Sequence, residues 1–124
     1  MRYLMNEQLI PNLSLGKSVE QWLSPKQYDN CIVLRWVTIE KNRDATYTTS
    51  YAEYFDDGDE DFTDVYEFSY VNPDEPEVLN TFDSVDEALH FVAATYNASS
   101  NKFVTAGMIQ DEYKDYLKSR NKVE

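Results

Sequence analysis

Residues 31–55 read CIVLRWVTIEKNRDATYTTSYAEYF. Cys31 to Glu40 has the composition of a strand, because β-branched and aromatic side chains fit a pleated surface. Ile32, Leu34 and Trp36 face one side, and Val33, Val37 and Ile39 the other, with Arg35 among them. Apolar residues on both sides place this strand in the interior of a sheet. Lys41-Asn42-Arg43-Asp44 is a polar turn. From Ala45 to Phe55 the side chains alternate. Tyr47, Thr49, Tyr51 and Phe55 share one face, while Thr46, Thr48, Ser50, Ala52 and Tyr54 share the other. Two such runs joined by a short polar turn make a hairpin.

Upstream, residues 3–10 (YLMNEQLI) fit helix or strand, and Pro11 ends them. Leu15, Val19, Trp22 and Leu23 fall on one stripe, which predicts a helix over Ser14–Leu23 stopped by Ser24-Pro25. Downstream, Asp56 to Asp64 (DDGDEDFTD) is a loop by composition. Val65 to Val71 reads as a third strand with Tyr66, Phe68 and Tyr70 facing together. Residues 72–76 hold two prolines and form a turn. Glu77 to Phe82 is a fourth strand. Ser84 and Glu87 have the spacing of a capping box, so a helix follows, with Val85, Leu89, Val92 and Tyr96 as its buried stripe. Lys102 to Ala106 is a brief strand or an extended link. From Met108 a last helix places Ile109, Tyr113, Tyr116 and Leu117 together.

This order predicts an α+β fold in a single domain, residues 1–124. The expected architecture is an antiparallel meander of about four strands with an N-terminal helix and two C-terminal helices packed on one side of the sheet.

The charge is segregated. Between Asp44 and Phe91 stand fifteen carboxylates and no Lys or Arg, whereas the segments on either side are each within two charges of neutral. The net charge of −12 therefore comes from the middle of the chain. A one-signed stretch builds a one-signed field, which selects partners of opposite sign. Direct binding of nucleic acid, DNA or RNA, is not expected, because phosphate binding works through clustered Lys and Arg. An anionic membrane surface is disfavoured on the same ground. No stretch approaches the ~18 apolar residues of a membrane span.

Chemistry has few candidates here. Asp57, Asp59 and Asp61 alternate as in the first half of a calcium loop. Phe62 then stands where that loop needs glycine, and Phe68 where it needs a bidentate glutamate. One cysteine and one histidine are too few for a zinc site. The single His90 sits at the margin of a helix stripe. With three glycines in the chain, a phosphate-cradling loop is hard to build, and no nucleophile elbow is present. No catalytic residue, metal ligand or cofactor is assigned. Cys31, beside Ile32, Val33 and Leu34, reads as a reduced core thiol, which favours a cytoplasmic setting.

These features point to an acidic interaction module that binds a basic protein partner, of the inhibitor, immunity or DNA-mimic type. Its expected contact set is Tyr54, Phe55, Asp56, Asp57, Asp59, Glu60, Asp61, Phe62 and Asp64, where aromatics interleave with acids. A second reading is a small-molecule binder or small enzyme with an aromatic pocket between sheet and helix, lined by Tyr47, Tyr51, Tyr66 and Tyr70. A third is a structural homo-oligomer, such as a homodimer, because ten Tyr, six Phe and two Trp are many for a core of this size.

Overall fold

A computed structural model describes residues 3–28, 31–56, 58 and 63–122. Helix α1 spans Asn6–Ser14, strand β1 Val19–Tyr28, β2 Cys31–Lys41, β3 Tyr47–Phe55 and β4 Glu77–Phe82. Helix α2 spans Val85–Tyr96, β5 Val104–Thr105 and α3 Ile109–Lys122. A 3-10 turn occupies Val65–Glu67. The five strands form one antiparallel sheet in the order β4-β3-β2-β1-β5. The fold is α+β, as the order of predicted elements implies.

β2 lies at the centre of the sheet and is apolar on both faces, so both faces need a cover. On one face α1 and α2 contribute Leu9, Leu13, Ala88 and Val92, which pack with Val19, Leu23, Val37, Ile39 and Tyr47. On the other, α3 and the 3-10 turn contribute Ile109, Tyr113, Leu117, Val65 and Phe68, which pack with Leu34, Trp36, Ala52 and Tyr54. Placing every helix on one side of the sheet was therefore incorrect. Burying Leu34 and Trp36 as well as Val37 and Ile39 takes two layers.

The expected helix over Ser14–Leu23 is also corrected. The helix lies earlier, at Asn6–Ser14, with Pro11 inside it. It ends at Gly16, whose φ is +87°. The Lys17 N–H reaches Asn12 O at 2.9 Å and the Gly16 N–H reaches Leu13 O at 3.0 Å, the paired closure of a left-handed helix stop. From Val19 the chain is strand. Val19 and Leu23 enter one core, while Trp22 packs against the other. Ser24-Pro25 stays inside β1, at an irregularity in register between Leu23 and Lys26. That site lies beyond the two residues that β5 pairs, so the missing proline N–H costs no ladder bond there.

The third expected strand, Val65 to Val71, is not one. It is the 3-10 turn followed by a single bridge of Tyr70 to Tyr54. β4 already occupies β3 from Tyr47 to Ala52, which leaves only the end of β3 for the segment to touch. Cys31 is exposed at the start of β2 and is not a core thiol.

The hairpin, β4 and the C-terminal helices form as expected. Ser84 Oγ accepts the Glu87 N–H at 3.2 Å, and α2 ends on Asn97 in the left-handed conformation. Asp44 closes the β2–β3 turn by accepting from the Thr46 N–H and hydroxyl. The bond from the Thr46 hydroxyl is the main cause that holds its carboxyl below the usual range.

Candidate functional site

Sheet order decides where the charge goes. β4 is an edge strand, at the far end of the sheet from β1 and β5. Glu75 and Glu77 enter it, Asp83 leaves it, and Asp86 and Glu87 open α2 beside it; all are exposed. β3, β4 and α2 contain no Lys or Arg. The described bases stand on other segments: Lys17 after α1, Lys26 and Arg35 on β1 and β2, Lys41 and Arg43 at the hairpin turn, Lys102 before β5, and Lys114, Lys118, Arg120 and Lys122 on α3. Glu53, on β3, pairs with Lys26 at 3.7 Å.

The same edge carries exposed apolar side chains. Leu79 is 60% exposed and Val78 41%. On the α2 side a shallow groove of about 490 Å3 runs between strand and helix, lined by Phe82, Asp86, Glu87, His90, Phe91 and Ala94. The rings of Phe82 and Phe91 lie 5.0 Å apart at its base. Apolar anchors within a ring of one-signed charge are the composition of an interface, where charge steers and apolar contact holds.

The residues expected to bind a partner divide into three groups. Asp57, Asp59, Glu60, Asp61 and Phe62 lie outside the described residues. Tyr54 is 5% exposed, stacked on Trp36 at 4.3 Å and with the tilted ring of Tyr70 at 4.6 Å, so its ring belongs to the core. Asp56 accepts the Tyr113 hydroxyl at 2.6 Å, tying the end of β3 to α3. Phe55 is half-buried and donates its N–H to Ser69 O at 2.8 Å. Half-buried Asp64 precedes the 3-10 turn, and its carbonyl accepts the Glu67 N–H. The acids of the β4 edge are spread over residues 75–87 and converge only when the strand and helix lie side by side, so no local run of sequence marks them.

The aromatic pocket does not assemble. Tyr47 and Tyr51 pack on the α1–α2 face, with Tyr51 stacked on Tyr96 at 4.3 Å. Tyr70 packs on the opposite face, and Tyr66 meets Trp36 there edge-on at 6.0 Å. A sheet separates the two pairs. A polar cleft of about 380 Å3 flanks the outer edge of β1, lined among others by Gln21, Trp22, Arg35, Tyr96 and Lys102. Its polar groups are largely engaged within the fold. Gln21 exchanges hydrogen bonds with the Ser99 backbone at 2.7 and 2.8 Å, and Arg35 Nε donates to Ser24 O at 2.7 Å.

A buried carboxylate underlies the α3 face. Glu20 is 6% exposed, and its Oε1 accepts the Tyr66 hydroxyl and the Gly107 N–H, each at 2.8 Å. Thr38 Oγ1 donates to Oε2 at 3.3 Å. One side chain thus joins β1, β2, the 3-10 turn and the turn into α3, which makes Glu20 a structural tie.

Several tyrosines hold their protons above the ordinary range. Burial, then the hydrogen bond to Glu53, pushes Tyr51 up to about 12. Burial followed by the Tyr70 hydrogen bond raises Tyr54, and burial followed by the charge of Glu20 raises Tyr66. Above pH ~10 the unfolded chain releases these protons while the folded chain keeps them, so stability present below pH ~10 is lost as pH rises. The thermal midpoint is expected to fall as pH rises above about 10, with the share of tyrosinate absorbance that belongs to Tyr51, Tyr54 and Tyr66 appearing together with unfolding. A midpoint unchanged through pH 12 would contradict this burial.

A scan against protein-family models, a search of curated proteins and a search of solved structures each find no match for this chain. No described helix is long and apolar enough to cross a membrane.

Proposed function

We propose that this protein is an interaction module that binds a basic protein partner through the acidic side formed by β4 and the start of α2, with inhibition or neutralisation of that partner as its role. The observation that supports it is the placement of Glu75, Glu77, Asp83, Asp86 and Glu87 along one sheet edge, around exposed Val78 and Leu79, on elements without a single base. Carboxylates gathered this way repel one another, and a cationic surface relieves that repulsion.

Affinity capture at low and high salt tests the reading, with two neutralised variants. One replaces Glu75, Glu77, Asp83, Asp86 and Glu87 by the matching amides. The other does the same to Asp57, Asp59, Glu60 and Asp61. Wild type is expected to retain a basic protein at low salt and to release it as salt screens the approach over ~8–10 Å. The first variant is expected to lose at least tenfold in affinity. If capture were indifferent to salt and to both variants, the acidic side would have no part in binding.

A further inference from the structure

We propose that the open edge of β4 receives an extended, basic segment of the partner as a sixth strand of the sheet. This rests on the reading of the acidic side as the docking surface, and it specifies how the partner is held. Backbone geometry comes first. Beyond the end of β4, the Phe55 N–H donates to Ser69 O at 2.8 Å and the Val71 N–H to Glu53 O at 3.1 Å. Glu53 and Phe55 therefore point their backbone groups toward the β4 side. Neighbouring residues of a strand alternate in this respect, so Tyr47, Thr49 and Tyr51 do the same. Their partners in register are Phe82, Asn80 and Val78. Glu77, Leu79 and Thr81 are left with N–H and C=O groups directed away from the sheet. A six-residue strand, about 20 Å long, matches this row.

The two ends of the sheet are treated differently. The outer edge of β1 carries Pro25, Lys26 and the register irregularity after Leu23, and β5 covers its beginning. Proline, lysine and irregular register are means by which proteins prevent strand-to-strand pairing. β4 has none of them. Its register against β3 is unbroken from Glu77 to Phe82, and Leu79 is largely exposed upon it. What surrounds β4 is negative charge. Pairing of two β4 edges would bring Glu75, Glu77 and Asp83 of both copies together on chains that each carry −12. The edge is thus closed to a second copy by repulsion and open to a cationic strand. Backbone bonds would supply adhesion, apolar side chains on alternate positions would meet Leu79 or Val78, and basic ones would meet the acids.

The test uses the full chain and a fluorescein-labelled peptide of alternating lysine and valine, KVKVKVK, read by anisotropy at low salt. A control peptide of the same sequence is N-methylated at every backbone amide, which preserves charge and side chains and removes the donors. Leu79→Pro removes an outward N–H and leaves the ladder to β3 intact. The unmethylated peptide is expected to bind wild type at least tenfold more tightly than the methylated one, and at least tenfold more tightly than it binds L79P. Should L79P not fold, the two peptides against wild type still decide. Equal, salt-sensitive binding of both peptides would overturn strand addition and leave the acidic surface standing. No binding of either would overturn both. Concentration-dependent dimers abolished by L79P would assign the edge to a second copy and overturn the basic occupant.

Discussion

Trp36→Ala is expected to lower folding stability by about 3–5 kcal/mol, the range for deleting a large aromatic from a packed core. Trp36 is almost fully buried on the central strand. It stacks on Tyr54 at 4.3 Å, lies directly across from Trp22 in the β1–β2 register with ring centroids 6.5 Å apart, and receives the edge of Tyr66 at 6.0 Å. Removing it leaves a void between the sheet and α3 that stiff neighbouring rings cannot fill. Domains of this size are stable by only ~5–15 kcal/mol, so the variant should unfold at much lower urea with an unchanged m-value. Trp36→Phe keeps a stacking partner for Tyr54 and should lose less than half as much. A Trp36→Ala midpoint close to wild type would show that the α3 face is not packed as described.

Glu20→Ala should be the next most severe change, about 1–3 kcal/mol, because it removes the buried acceptor shared by the Tyr66 hydroxyl, the Gly107 N–H and the Thr38 hydroxyl. Glu20→Gln separates hydrogen bonding from charge. The amide oxygen can still accept from both Tyr66 and Gly107, and the amide nitrogen can donate to Thr38. The expected loss is about 1 kcal/mol or less. The same variant withdraws the negative charge that, after burial, holds the Tyr66 proton, so Tyr66 should ionise at lower pH in E20Q. Urea unfolding and tyrosinate absorbance measure both effects. Equal losses for Ala and Gln would mean that Glu20 contributes through its negative charge and not through the acceptor oxygen and bulk that an amide keeps.

The parts of this fold that could be read from the sequence are those where one periodicity had no rival. β2 is a short run apolar on both faces, β3 alternates, α2 opens on a serine cap, and α3 carries Ile109, Tyr113 and Leu117 on one buried stripe. The errors fell where two periods fit equally well. Leu15, Val19, Trp22 and Leu23 satisfy a helical stripe, yet Val19 to Leu23 also alternates, with Val19, Gln21 and Leu23 on one face. Gly16 was the deciding signal, since a left-handed helix stop needs no side chain. Val65 to Val71 looked like a strand because Tyr66, Phe68 and Tyr70 alternate, but β4 had already claimed β3. Glu20 was hidden inside the misassigned helix. Its role depends on Tyr66 and Gly107, far along the chain, and no local pattern marks that.

The proposed site was visible as a charge sign and not as a place. The density of acids drew attention to residues 56–64. Among the described residues, exposed acids and exposed apolar side chains meet along residues 75–91, brought together by strand order and by the packing of α2 on β4. Hydrogen exchange of the backbone amides with and without the alternating lysine–valine peptide tests that location most directly. Docking at β4 predicts that the outward amides of Glu77, Leu79 and Thr81 exchange readily in the free protein and gain at least tenfold protection with peptide, while amides of α3 are unchanged. Protection centred on α3 or on the outer edge of β1, with Glu77, Leu79 and Thr81 unaffected, would contradict it.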